Sequence, residues 1–329
     1  MVDAFYIQKG RHTLLIIIRQ VMDKVRFQKG VPGDFLGRVP AYIPFFYQPE
    51  FVLRYGESGI ITYSIYSGNI LLALIHFQIV EKTAISLPMS SFGGIGIVKE
   101  VPDSDLRSFM NYIIDDLRQL DMQSVTIREC PKSYRHYLNA NDIYTQLGFT
   151  QLFSEANQFV NVGKAFTDLI NRNRKRSLSQ SDKLNLISKQ IEPGYLKEAF
   201  DLLQANRQVR GLELTMTYDQ LNQAFEQFPN RYLLFGVFDQ DKLIAASICI
   251  AVNGNVLYDF YHGELPEYTS TSPVTMLVAT LYQYANSNKF QILDFGISSV
   301  KGKLDKGLFM FKKSLGAKVE RKEMYQLEL

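Results

Sequence analysis

An α+β fold made of two related units in tandem is what this sequence predicts, and three observations carry the prediction. The chain matches itself when displaced by 168 positions: Phe109, Met110, Ile113 and Leu117 fall on Leu277, Val278, Leu281 and Ala285, and Leu147-Gly148 falls on Leu315-Gly316. Val125 and Ile127 fall on Leu293 and Phe295, and upstream the displacement becomes about 172, with Glu81-Lys82 on Asn253-Gly254. One loop insertion produces such a change, and self-similarity at a fixed interval marks repeated structure. The hydrophobic period also switches from strand-like to helix-like in the same order in each half. Finally, 329 residues suit two units, each large enough to bury a core. The units are placed at residues 1–161 and 162–329.

Element by element, Leu14 to Ile18 between Arg11 and Arg19 reads as one face of a buried helix. A Gly- and Pro-rich connection, 30–44, leads to Gln48-Pro49-Glu50, where proline suits the first turn of a short helix toward Arg54. Residues 58–80 contain no Asp, Glu, Lys or Arg, which raises the question of a membrane span. Ser67-Gly68-Asn69 in the middle makes the window a hairpin of strands 60–66 and 70–80 instead. Strands follow at 83–87 and 92–98. Asp103-Ser104-Asp105 caps a helix with apolar Leu106, Phe109, Met110, Ile113, Ile114 and Leu117. Strand 124–128, a helix over 134–147 ended by Gly148, and strand 151–160 complete the unit. After a crossing at 161–164 come helices at 169–178, 194–209 and 218–228. Strands 232–238, 243–252 and 256–262, helix 275–286, strand 292–295, helix 307–315 and strand 318–329 then repeat the first pattern.

A net charge of +3 with dispersed Lys and Arg argues against strong non-specific attraction to nucleic acid. Cys130 and Cys249 are the only cysteines, which fits a reducing cytoplasm, with no disulfide framework and no paired metal-site spacing. Asp3 and the absence of a basic start before an apolar stretch give no secretion signal, so the expected location is cytoplasmic.

A meander, a helix, a parallel strand, a helix and a last strand is the element order of the GNAT acyltransferase fold. The segments Phe46-Tyr47-Gln48-Pro49-Glu50-Phe51, Leu87-Pro88-Met89-Ser90-Ser91-Phe92-Gly93-Gly94, Leu293-Asp294-Phe295-Gly296 and Gly307-Leu308-Phe309-Met310-Phe311-Lys312-Lys313-Ser314-Leu315-Gly316 resemble the signatures of tandem-GNAT Fem-type proteins. The resemblance covers most of the chain from about residue 41. It implies two GNAT-like domains and transfer of an acyl or aminoacyl group to an amine by direct attack. Acyl-coenzyme A or aminoacyl-tRNA would be the co-substrate, and a small molecule or a cell-wall precursor the acceptor. Such chemistry requires positioning and oxyanion donors rather than a covalent intermediate, so the lack of a Ser-His-Asp or Cys-His signature is no objection. A ligand-binding or scaffold protein that kept the architecture is the alternative.

The strand Tyr258-Asp259-Phe260-Tyr261-His262 lies where GNAT-like domains present polar groups to the reacting centre. Alternation puts Tyr258, Phe260 and His262 on one face, and Asp259 and Tyr261 on the other. These aromatics are either site residues or core; His12, His76 and His136 read as surface or packed. Asp294 either orients the amine or pairs with a neighbouring Lys or Tyr. Ser298 and Ser299 follow it, and by the resemblance Lys312, then Lys303, is the lysine near the acyl-transfer centre. Tyr268-Thr269-Ser270-Thr271-Ser272-Pro273 replaces the basic, Gly-rich loop of a coenzyme A site; Ser272 caps a helix there, or binds phosphate. The equivalent stretch of the first half is acidic, which makes that half a scaffold and substrate wall. In the basic run Arg172, Arg174, Lys175 and Arg176, the resemblance offers an arginine, taken as Arg174, to substrate phosphates. No aromatic interleaves with the run to stack a base, and no DNA partner is expected. Ser91 and Phe92 are placed at the interdomain cleft, their glycine neighbours serving close packing.

Overall fold

The computed structural model describes residues 4–9, 12–17, 25–54, 59–134, 140–209 and 211–329. Strands β1 (Ala4–Lys9) and β2 (His12–Ile17) form an antiparallel hairpin where a helix was expected. The β-branched run at Ile16-Ile17 suits a pleated strand, and Ile18 lies outside the described residues. Then come β3 (Arg26–Gly30), α1 (Pro49–Leu53), β4 (Ile60–Ser67), β5 (Ile70–Val80), β6 (Thr83–Ser86), β7 (Gly96–Ile97), α2 (Asp103–Gln119) and β8 (Ser124–Arg128). They are followed by α3 (Ala140–Gln146), β9 (Thr150–Asn161), α4 (Phe166–Leu169), α5 (Arg172–Lys183), β10 (Ile187–Ile191), α6 (Leu196–Gln208) and α7 (Tyr218–Gln227). The chain ends with β11 (Tyr232–Asp239), β12 (Lys242–Ala251), β13 (Val256–Glu264), α8 (Pro273–Ser287), β14 (Ile292–Ile297), β15 (Ser299–Val300), β16 (Lys303–Leu304), α9 (Lys306–Ser314) and β17 (Lys318–Glu328).

The charge-free window is the expected hairpin, with Ser67 paired to Ile70 and Gly68 in the left-handed region at φ 56°. Among the described residues no helix is long and apolar enough to cross a membrane. The helix expected at 169–178 is two, because Asn171 interrupts it and accepts from Arg174 N (3.0 Å) as an N-cap. The strand expected at 92–98 shrinks to β7. A Cβ on Gly93 would meet Ser86 O at 2.6 Å, and one on Gly94 would meet Glu129 Oε1 at 2.4 Å, so both glycines serve close packing. Part of the helix expected at 134–147, and His136 with it, lies outside the described residues; its remainder is α3.

The repeat holds in three dimensions. β4 and β5 recur as β11 and β12 at 172 positions, and β9 recurs as β17 at 168. Among the described residues each half has one parallel pair, β6 with β8 and β13 with β14. Gly148 and Gly316 close equivalent helices at the same φ, 84°. A duplicated unit leads one to expect two separate sheets. Instead, one 13-stranded sheet runs β10-β11-β12-β13-β14-β9-β17-β8-β6-β5-β4-β3, with β7 on β5. Its continuity comes from an exchange: β9 pairs with β14 of the second half, β17 pairs with β8 of the first, and the two pair along their length.

Helix α2 buries its predicted apolar positions on the first half of the sheet, and α8 does the same with Leu277, Val278, Leu281 and Ala285 on the second. The third core is shared by both halves. Phe45, Phe46, Phe51 and Phe92 join Leu203, Leu221, Phe225, Tyr232, Ile248 and Ile250 there. The Phe45 ring meets Phe228 edge-on at 4.8 Å, and Phe45 N donates to Val252 O (2.6 Å). His76 is a packed residue: Thr62 Oγ1 and Tyr47 O hold its ring nitrogens, and burial pushes it down to about 4. At the second helix end, a Cβ on Gly316 would meet Leu169 O at 2.6 Å, whereas Gly148 has only a Leu327 methyl at 3.7 Å. Gly316→Ala is therefore expected to cost about 1–3 kcal/mol through backbone strain and more through the clash. Gly148→Ala should lower the Tm less, and paired thermal melts check the order.

Candidate active site

The site begins where the second parallel pair comes apart. β13 and β14 are in register only from Val256↔Ile292 to Tyr258↔Asp294. β13 then continues to Glu264, while β14 turns away at Gly296, where a φ of 70° and the 3.0 Å at which a Cβ would meet the Tyr258 ring suit glycine. A cavity of about 930 Å³ opens in this gap, lined by Tyr258 to Glu264, by the 295–300 turn, and by parts of α5, α6 and α9.

Lys312 on α9 points into the gap and is 2% exposed. Its Nζ donates to Gly296 O (3.1 Å) and Ile297 O (2.8 Å), carbonyls freed by the departure of β14 from β13. An ammonium has three donors, so one N–H remains for the cavity. Burial pushes Lys312 down to about 8, aided by Arg207 and opposed by Asp294, Asp259 and Asp305. The group therefore stays largely cationic at neutral pH.

His262 does not stand on the face that simple alternation gave it. β12 pairs Ser247 with His262 and Ile248 with Tyr261, then Cys249 with Asp259, so Phe260 is an extra residue in β13. This bulge puts Asp259 and His262 on the side of Ser247 and Cys249, and Tyr258 and Tyr261 on the side of Ile248 and Ile250. Asp259 is buried, receives Ser247 Oγ (2.7 Å), and lies 2.6 Å from His262 Nδ1. With Nδ1–H donating to the carboxylate, Nε2 is left as the acceptor. Asp259 and Ser247 were missed in the sequence because a one-residue bulge has no local signature. Arg207 and Asn206, which also line the cavity, were missed for want of any motif.

At the other wall Arg174 donates from one Nη to Ser272 Oγ (2.9 Å) and Thr275 Oγ1 (3.1 Å), with its guanidinium 5.0 Å from the Phe311 ring centre. Its Nε is buried without a partner among the described residues, and burial lowers its pKa. Cations in the first turn of α5 oppose the helix dipole, so the fold itself does not favour them there. Ser272 is left-handed (φ 53°) and makes no cap; Pro273 takes the first helical position as expected. The amides of this turn are occupied: Val274 N by Glu264 Oε2 (3.3 Å), Thr275 N by Ser272 O, and Ser272 N by Thr269 O.

The structure thus brings Lys312, Tyr258, Tyr261, His262, Ser272, Ser298 and Arg174 to one cavity. Asp294 lies beneath it, buried and bonded to the Tyr134 hydroxyl, Asn157 Nδ2 (3.1 Å) and Gly296 N (2.7 Å). That is the pairing with a tyrosine weighed above. Burial raises the Asp294 pKa against those three hydrogen bonds. Ser91, from the first half, lies beside the Tyr258 hydroxyl. Phe92 packs edge-on against Phe46 and Tyr134 in the shared core, and Lys303 is exposed on β16 away from the lining.

Two GNAT-like halves joined in one sheet, with a splayed parallel pair in the second, define a tandem-GNAT, Fem-like fold. The structure of FemX superposes over 92% of this chain and 97% of its own at TM-score 0.67 and 12% identity. A tandem GNAT protein from the clavulanic acid biosynthesis pathway does so over 93% and 98%, at 0.51 and 10%. L-PGS from Bacillus licheniformis matches over 77% and 80%, at 0.52 and 11%. At these identities the likeness is one of fold. No protein-family model matches the chain, and no curated protein matches it.

Proposed function

We propose that the second half, residues 162–329, transfers an aminoacyl or acyl group to an amine in the splay cavity, the first half serving as scaffold. One observation carries this reading: a buried ammonium, Lys312, held by two carbonyls of the splay, shares the cavity with the His262–Asp259 pair. The amine nitrogen attacks the acyl carbonyl carbon and forms the new C–N bond. His262 Nε2 takes the proton the nitrogen sheds. The third N–H of Lys312 donates to the oxyanion, and the tetrahedral species collapses by breaking the bond to the leaving oxygen or sulfur, which takes its proton from His262.

Aminoacyl-tRNA suits the donor side better than acyl-coenzyme A, because the α8 amides that would hold a pyrophosphate are already engaged. Exposed Arg172, Lys175 and Arg176 on α5, with Lys313 on α9, offer phosphate contacts on the surface. A thermal-shift panel of acetyl-coenzyme A, longer acyl-coenzyme A and charged tRNA tests the donor. Stabilisation by charged tRNA that weakens steeply with added salt is the expected result. A response confined to coenzyme A species reverses the donor assignment, and no response to any donor favours a ligand-binding scaffold.

A further inference from the structure

Because, among the described residues, β13 has no partner beyond Tyr258 on its β14 side, the cavity reaches both faces of the sheet: His262, Asp259 and Arg174 on one, Tyr258, Tyr261 and α6 on the other. On this second face Arg207, in the last turn of α6, lies with its guanidinium carbon 5.7 Å from the Tyr261 ring centre. It makes no ion pair and no side-chain hydrogen bond among the described residues.

Its surroundings are fixed. Asn206 Nδ2 donates to Glu264 O (2.8 Å), an approach that Gly263 allows, since a Cβ there would come within 2.9 Å of Asn206 Cγ. The Tyr261 hydroxyl accepts from Thr215 N (3.0 Å) and Met216 N (3.2 Å) and also bonds the Thr215 hydroxyl. The carboxylates around the cavity are turned to protein donors: Asp259 to Ser247 and His262, Glu264 to Val274 N, Asp305 to Leu308 N. Lys312 and Arg174, the other cations, face carbonyls and hydroxyls. Arg207 is thus a permanently charged planar fork on a pinned aromatic platform, with its donors open to the cavity.

We propose that Arg207, over the Tyr261 ring, binds a carboxylate of the acceptor, making the acceptor an amino acid or peptide with a free carboxyl group. A planar fork pairs with two oxygens of a carboxylate or of a phosphate; the carboxylate is favoured because, among the described residues, Arg207 has no free helix-terminal amides beside it of the kind that phosphate sites use. The proposal rests on the reading of the cavity as a transfer site.

The test is calorimetric titration of a panel of dipeptides, their C-terminal amides and inorganic pyrophosphate into the full chain, its Arg207→Gln and Arg207→Lys variants, and Tyr261→Phe. Free dipeptides should bind wild type and lose roughly 10–100-fold in affinity to Arg207→Gln. Arg207→Lys should recover only part of that loss, and Tyr261→Phe should weaken the same ligands through the unpinned ring. The amides should not distinguish wild type from Arg207→Gln. Equal dipeptide affinity in wild type and a folded Arg207→Gln, no binding by any free dipeptide, or an Arg207-dependent response to pyrophosphate alone would overturn the assignment. The titration contains no donor and reads carboxylate binding alone; dipeptide binding here, together with no transfer in a separate assay supplied with charged tRNA and acyl-coenzyme A, would defeat the catalytic reading and leave this site standing.

Discussion

Lys312→Met is expected to lower kcat for transfer by about 10²–10³-fold, the usual effect of removing one oxyanion donor, while the protein stays folded. A neutral side chain of similar length fills the same space but donates nothing to the oxyanion. The lysine's own titration gives an independent check. Its pKa is pushed down to about 8 chiefly by burial, so the rate should fall as pH rises through about 8 and the ammonium is lost. Stability moves the other way. The folded value lies below the unbound 10.5, so the cost of burying the charge is present below about 8 and is relieved as pH rises from about 8 to 10.5. Lys322 is likewise pushed down to about 8 by burial, so the Tm slope should shrink in Lys312→Met to the share that Lys322 contributes, while the fall in kcat is lost altogether. A variant that keeps its rate removes Lys312 from the chemistry.

Asp259→Asn should lower kcat by about 10²–10⁴-fold, the range associated with a positioned acid–base group. The carboxylate accepts from His262 Nδ1 and from Ser247. An amide there can turn its NH₂ toward the ring, leaving Nδ1 as the acceptor and Nε2 protonated, so the wrong nitrogen faces the cavity. His262→Ala should cost a similar amount, and the double variant little more than either single one, because the two act as a unit. Ser247→Ala removes one hydrogen bond from Asp259 and should cost far less. Additive losses in the double variant would mean that the pair does not work as a relay.

Residue types and spacing exposed much of this architecture but left its central device hidden. The two displacements reappear in the coordinates as β4/β11 and β9/β17. This is because buried positions in repeated units keep their pattern after identity has faded. β3 and β10 escaped notice, since Arg26-Phe27-Gln28-Lys29-Gly30 and Ile187-Ser188-Lys189-Gln190-Ile191 are polar edge strands with little apolar alternation. The exchange of β9 and β17 was invisible because a strand's pattern says which face is buried and not which neighbour it takes. At the cavity, the placement of Lys312 was legible through the segment that resembles the Fem-type signature, and Asp294 as either a cleft or a paired carboxylate. The His262–Asp259 contact was not, because the bulge at Phe260 breaks the alternation from which faces are read.

The crossed last strands also govern how the molecule comes into being. On a ribosome, β8 emerges long before β17, so the first half must wait with an unfilled slot in its sheet until the residues of β17 have been made. Neither half expressed alone should reach its native sheet, and mixing the separate pieces should restore structure only when both are present. Heating should melt the two halves together, in a single transition rather than as independent modules.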